Sequence, residues 1–306
     1  DTLTLNTPTR SGYTFDGWYR DGAKWTNGSA VTEDMTLIAH WTKNVEKGTD
    51  ATTKIDVKED GTVVETVTET KTTGTATTEV KTTTTVKTDG TITETQTKTT
   101  ADSKTNVTAT TTVTNTEAKV TAAVAAGDTD VKADNKTVTV DATTDELSND
   151  TSKVKKVTVT IDSSSVNKLQ TAAEAGKVAT VEVKTDVGTL TIDNTALKTL
   201  TKADGKLELV VEKIGETTST TNTTTKTTAT FELTAYVDGA PVFGKTNKDT
   251  NGTITVTVSW PEPASNERVR AYYVADDGTR TLMGGAGYQN GSFSWDTNHF
   301  STFVVV

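Results

Sequence analysis

The sequence predicts a mainly β protein built in several small pieces, and three observations carry that prediction. Threonine occupies nearly every second or third position from about Ala51 to Val120. Only four prolines occur, Pro8, Pro241, Pro261 and Pro263, so the long interior lacks the residue that most often interrupts strands. Hydrophobic residues make up 32% of the 306, too few for one large core. β-Branched side chains lose rotamer freedom in a helix and fit a pleated strand, so such a chain is expected to be extended. The five Trp, six Tyr and six Phe fall in two blocks, Tyr13 to Trp41 and Phe231 to Phe303. Four divisions follow: a small β module at 1–45, a Thr-rich repetitive β region at 46–150, a duplicated α+β element at 151–215 and a β-sandwich-like module at 216–306.

In the first division, Tyr13, Phe15, Trp18 and Tyr19 alternate with polar residues about Gly12 and Gly17, and Trp25, Leu37, Ala39 and Trp41 follow. This is strand-and-turn patterning. The order Gly-Tyr-x-Phe-x-Gly-Trp-Tyr, a mid-module Trp, Asp-x-Thr-Leu and Ala-x-Trp within Ser11 to Trp41 closely resembles the Listeria-Bacteroides repeat, also called the internalin B-repeat. The resemblance covers residues 8–41. It implies a compact β-grasp-like fold used as a spacer or weak adhesive unit on bacterial surfaces. The family's opening strand and Gly-rich turn do not precede Asp1, so the module is expected to be truncated.

The second division carries an internal repeat. VKEDGTVVET at 57–66 recurs as VKTDGTITET at 86–95, a spacing of 29. Each copy centres on an Asp-Gly pair, Asp60-Gly61 and Asp89-Gly90, the short-range hairpin signal. Further breaks near Gly74, Asp102 and Asn115 place a turn about every 14 residues, which predicts long antiparallel strands. The apolar face of Val63 to Glu69 is narrow, so backbone ladders and cross-strand Thr pairs, each contributing about 0.2–1 kcal/mol, are expected to stabilise an extended stalk. Disorder is the competing reading, since low hydrophobicity also marks unfolded chains. Branched β-formers in place of Pro, Ser and Gln favour order.

In the third division, strand patterns at Val157–Ile161, Val181–Val183, Leu190–Ile192 and Leu207–Val211 alternate with two short helices. Ser163 to Ser165 are expected to cap one that runs through Val166, Leu169 and Ala173 to Gly176, and Asn194 to cap one that runs through Ala196, Leu197 and Leu200. After a Thr-rich loop at Thr217 to Thr228, strands at 231–237, 254–258, 269–274, 292–295 and 303–306 give a sandwich pattern. The combination of VTVSWP at 256–261, Val269 to Gly278 and HFSTF at 299–303 resembles a β module frequent in Firmicute surface proteins, where it often stands near S-layer-homology repeats.

Several chemistries are excluded. With no cysteine there is neither a disulfide nor a thiolate site. A net charge of -10, with Lys and Arg dispersed among the acids, provides no basic groove for nucleic acid. No run of about 18 apolar residues exists to span a membrane, and any signal peptide or wall anchor is expected outside these residues.

No catalytic residue is assigned. The candidate bases are His40 and His299; Asp296 and Ser301 lie near His299, but without a Gly-x-Ser-x-Gly elbow a turn histidine is the preferred reading. No diagnostic motif marks a spontaneous Lys–Asn isopeptide or Thr–Gln ester bond. Asn247, Asp249 and Asn251, followed by Gly252, match part of a calcium-loop spacing. Val258 stands where the bidentate Glu belongs, so a plain Asn-Gly turn is preferred and no cofactor other than this candidate Ca²⁺ is expected. Trp18, Trp25, Trp260, Tyr272, Tyr288 and Trp295 are the candidates for a platform stacking on sugar rings, and core packing competes for each of them. Together these readings lead to a non-enzymatic, extracellular bacterial cell-surface segment associated with the wall or S-layer. It acts as stalk and adhesin toward an unidentified host or bacterial glycan or protein, or alternatively as a carbohydrate-binding protein.

Overall fold

A computed structural model describes residues 2–9, 13–20, 23–43, 49–58, 60–102, 107–114, 117–124, 137–144, 154–201, 205–221, 224–244, 250–264 and 267–306. The protein is mainly β, with two helices among these residues. It divides into two compact units, Asp1–Thr72 with Glu79–Gln96, and Thr73–Thr78 with Thr97–Val306.

The first unit opens with strands β1 (Tyr13–Arg20), β2 (Ala23–Lys24) and β3 (Ile38–Lys43) in an antiparallel sheet with β1 at its centre. The segment before β1 is pinned by backbone bonds from Leu3 N–H to the Ser29 carbonyl and from Gly28 N–H to the Leu3 carbonyl. Asn27 completes the clasp, its amide donating to the Leu5 carbonyl while its Oδ1 accepts from Leu5 N–H at 2.7 Å. The register of β1 on β3 shifts between Phe15 and Gly17, a β-bulge. Gly17 takes it at φ 147°, a left-handed value that suits glycine.

Strands β4 (Thr49–Val57) and β5 (Val63–Thr73) pair antiparallel from Thr49 opposite Lys71 to Val57 opposite Val63. After a turn at Gly74 follow β6 (Ala76–Val86) and β7 (Ile92–Asp102). Both repeat copies fold into the same turn. Lys58 N–H bonds to the Thr62 carbonyl and Gly61 N–H to the Lys58 carbonyl; Lys87, Gly90 and Thr91 repeat both bonds. Asp60 and Asp89 accept from the N–H of Thr62 and Thr91 at 2.9 and 2.8 Å. These two bonds with a left-handed glycine, φ 79° at Gly61 and 84° at Gly90, are the signature of a three-residue hairpin loop. Ala275 to Thr279, carrying the same Asp-Gly-Thr, makes a third copy in the other unit. Among the described Thr-rich strands of the first unit, the buried aliphatic residues are Val67 and Val80, so ladder bonds and not burial hold this sheet.

The second unit packs two sheets over one core. Its strands are β8 (Val107–Thr114), β9 (Glu117–Val124), β10 (Thr137–Asp141), β11 (Lys156–Ile161), β12 (Thr180–Lys184), β13 (Thr189–Asp193), β14 (Leu207–Thr221), β15 (Thr224–Val237), β16 (Ala240–Val242), β17 (Ile254–Ser259), β18 (Ala271–Val274), β19 (Arg280–Leu282), β20 (Gly287–Gln289), β21 (Ser292–Thr297) and β22 (Thr302–Val305). One sheet runs β19-β18-β22-β15-β14-β11-β9-β8 and on to the Thr97–Asp102 end of β7, and the other runs β10-β12-β13-β17-β21-β20. Most neighbours are antiparallel, but β9 with β11 and β10 with β12 are parallel. On the first sheet Val157, Val159, Ile161, Leu207, Leu209 and Val211 face inward, and on the opposite sheet Ile254, Val256 and Val258 do so. They alternate with outward polar residues and interdigitate across the gap.

Helices α1 (Ser163–Glu174) and α2 (Asn194–Leu200) add Val166, Leu169, Ala172, Leu197 and Leu200 to that core. Each follows the same Thr-Ile-Asp triplet, and the cap is the aspartate in both cases, not the Ser or Asn expected from the sequence. Asp162 accepts from Ser165 N–H at 2.8 Å and Asp193 from Ala196 N–H at 2.7 Å. Asn194 instead donates from its amide to the Ala173 and Val178 carbonyls, tying α2 to the end of α1. The left-handed Gly176, φ 67°, stops α1 as expected.

One sequence reading needs correction. The Thr-rich loop expected at Thr217 to Thr228 is strand: β14 and β15 stay paired to Thr221 opposite Thr224, because β-branched residues continue a ladder even where, as at Thr217 to Thr220, the side chains are exposed. Strand β14 runs continuously from Leu207 to Thr221, and Val107, Ala109, Val120 and Ala122 share one core with Leu207, Leu209 and Val211. Aromatic content changes at these places, but the period-two apolar face does not.

Candidate functional site

The β1 bulge sorts the aromatic residues of the N-terminal module onto two faces. On one face Phe15, opposite Trp41, packs edge-on against Trp18 and Trp41 with ring centroids 5.7 and 5.2 Å apart. This is the module's small core. On the other face Tyr19, opposite Ile38, lies flat on His40, with centroids 3.7 Å apart and planes within 12°. His40 stands opposite Gly17, and the Lys24 side chain lies so close to Gly17 that a Cβ there would meet it at 2.6 Å.

That second face forms one wall of a cleft of about 370 Å³. Asp16, Tyr19, Ile38, His40 and Trp41 line it, and Thr53, Ile55 and Val57, one face of β4, close it. Val57 is 55% exposed, so the mouth is open to solvent. Partial burial lowers the His40 pKa from its ordinary 6.5, against the opposing pull of Glu65 and Asp16, so the ring is neutral near pH 7. The chemistry on offer is a half-apolar slot with a phenol ring stacked on the His40 imidazole and one carboxylate. It suits a small polar ligand with an apolar face.

Of the six platform candidates, Trp260 and Trp295 do not serve. Trp295 is fully buried among Phe231, Phe293 and Phe303 at centroid distances of 5.7–6.1 Å, and Trp260 is 7% exposed beside Phe293. A stacked sugar needs one open ring face, and these indoles fill the gap between the sheets. Trp18 and Trp25 are half-buried, their Nε1 atoms enclosed and without a hydrogen-bond partner among the described residues. Tyr288 packs partly on the core with its hydroxyl accepting from Gly291 N–H, and Tyr272 stands half-buried between Leu282 and Val304. These two are not brought to one surface with Trp18 and Trp25 within a single unit. Tyr19, Ile55 and Val57 are lining residues that the sequence did not single out. The alternation of Thr53, Ile55 and Val57 signals a shared face, and Gly17 inside a strand pattern is the signal for the bulge that turns Tyr19 and His40 toward it.

For calcium, Asn247 and Asp249 lie outside the described residues. Asn251, at φ 55°, sits in a turn whose next residue, Gly252, packs so closely on the start of α2 that a Cβ there would collide with Ala196. Asp193 ties that turn down, accepting from Thr253 N–H at 2.8 Å. Among the described residues no three His, Asp or Glu are grouped to hold a metal ion. His299 Nδ1 lies 3.0 Å from Ser301 Oγ, with its ring between Tyr273 and Phe303. Ser301 is 4% exposed, and the Asp296 carboxylate accepts from Thr255 Oγ at 2.7 Å. No helix among the described residues is long and apolar enough to cross a membrane.

Residues 1–40 match the Listeria-Bacteroides repeat domain family, a domain that occurs in bacterial surface proteins. No curated protein and no solved structure matches the chain.

Proposed function

We propose, from the premise that a surface-protein repeat opens the chain, that it is a non-catalytic segment of a bacterial cell-surface protein, acting as stalk and adhesin outside the cell. The observation that carries this reading is the Thr-rich ladder beside the repeat. It spends many residues on hydrogen-bonded strands that bury few apolar side chains, which suits reach and presentation better than enclosure of a reaction. Attachment to the cell wall or S-layer, and a host or bacterial glycan or protein as the partner, belong to the same proposal. Antibody raised against the chain is expected to label intact cells of the source bacterium. Labelling only after permeabilisation contradicts the proposal.

The cleft supports a second reading, carbohydrate binding. Retention on immobilised mucin, starch or peptidoglycan that Tyr19→Ala abolishes, while the variant keeps its far-UV spectrum, favours it. Equal retention of both proteins sets it aside.

A further inference from the structure

Lys98 is an anomaly in the second unit. It points inward from β7 with its side chain 1% exposed, opposite Thr111 on β8 and on the same face as buried Gln96 and Thr100. Fully buried lysines are rare because desolvating an ammonium is costly. From the facing sheet comes Asp141, the last residue of β10, with Oδ1 3.6 Å from Lys98 Nζ.

Thr143 links the two groups. Lys98 Nζ donates to Thr143 Oγ at 3.0 Å, Thr143 Oγ donates to Asp141 Oδ1 at 2.6 Å, and Thr143 N–H donates to the same Oδ1 at 3.0 Å. The segment holding them is fixed from behind: Ala142 N–H bonds to the Lys184 carbonyl, while Thr144 gives its N–H and hydroxyl to the two oxygens of Asp186. Amine, hydroxyl and carboxyl are therefore held in one hydrogen-bonded cluster, with Nζ 3.6 Å from an oxygen of the carboxyl whose carbon it attacks, and reacting groups held this close react far faster than free ones.

We infer that Lys98 and Asp141 condense into an amide that joins the two sheets. Nζ bonds to Asp141 Cγ and the Cγ–Oδ1 bond breaks. Two of the three ammonium protons leave with Oδ1 as water, the first passing along the Nζ–Thr143 Oγ–Oδ1 chain, and the third stays on the amide nitrogen. Ammonium plus carboxylate gives amide plus water, with no oxidant or co-reactant needed. The Thr143 N–H, donating to Oδ1 at 3.0 Å, holds that oxygen in place while it takes up the protons. Burial supplies the driving force, because a desolvated ion pair is costly and the amide carries no charge. The Asp141 side chain is 34% exposed, which gives the water an exit. The bond closes the chain between β7 and β10 and so restricts the unfolded ensemble as any long-loop crosslink does.

Intact-mass and tandem mass spectrometry of the folded 306-residue chain decide the matter. The expected mass is that of the sequence less one water, with a peptide containing Lys98 joined to one containing Asp141. A Lys98→Arg variant is expected to keep the full mass, Asp141→Asn to lose ammonia in place of water, and Thr143→Val to slow joining at least tenfold. A folded wild-type protein at full mass overturns the inference whether or not the variants fold. So does a water loss that persists in Lys98→Arg, since a succinimide at one of the Asp-Gly turns removes the same mass. An unchanged rate in Thr143→Val contradicts the relay.

Discussion

His40 reports on the cleft at the scale of one residue. Its folded pKa lies below the unfolded value, so the stability it contributes is present above about pH 6.5 and is lost as pH falls through the folded pKa. An NMR titration of its ring is expected to show a midpoint below 6.5, and a midpoint above that value contradicts the burial described. Asp162 behaves in the same sense lower on the scale. The Ser164 hydroxyl first, then the Ser165 N–H, hold its carboxyl below the ordinary 3.8, so its stabilisation of α1 is present above about pH 4 and disappears as pH falls through the lowered value. Replacing it with Ala is expected to cost about 1 kcal/mol in urea unfolding at pH 7, and less as pH falls below the ordinary 3.8. Trp295→Ala, which empties the space among three Phe rings, is expected to cost about 3–5 kcal/mol. Residue identity alone could not separate Trp295 from Trp25, since both sit in strand-like, polar-flanked sequence. Which ring lies between two sheets depends on partners, Phe231 and Phe303, that are distant along the chain.

Elements were more legible where local chemistry decides them. The 29-residue repeat and its Asp-Gly pairs located two turns whose hydrogen bonds prove identical, because an Asx acceptor and a left-handed glycine depend on four or five adjacent residues only. Gly90→Ala tests that economy. Nothing lies within 4 Å of a Cβ there, so its cost is the left-handed backbone alone, about 1–2 kcal/mol. Gly61→Ala adds a contact with the Thr88 methyl at 2.8 Å and is expected to cost more by thermal unfolding. Equal costs contradict the placing of the two repeat turns side by side. The β14–β15 hairpin was the opposite case. Its polar Thr run reads as a loop by composition, yet the pairing of Leu207–Val211 with Leu233–Val237 carries on past the bulge at Ile214.

At the scale of the whole molecule, sequence composition divided the chain by aromatic content, whereas the fold groups Val107 to Val305 around one core. The alternating Val and Ala of β8 and β9 contribute to that core as effectively as the Phe and Trp of β15 and β21. A count of rings does not register them. The mainly β character followed from β-branched content, because that property is local and summed over many residues. The proposed role rests on the Thr-rich stretch being a ladder with little apolar cover. Amide hydrogen exchange read by mass spectrometry across Thr49–Val124 tests this most directly. Slow exchange within β4 to β9, interrupted at the Gly61, Gly74 and Gly90 turns, is the predicted result, and exchange at the rate of an unstructured peptide throughout would contradict it.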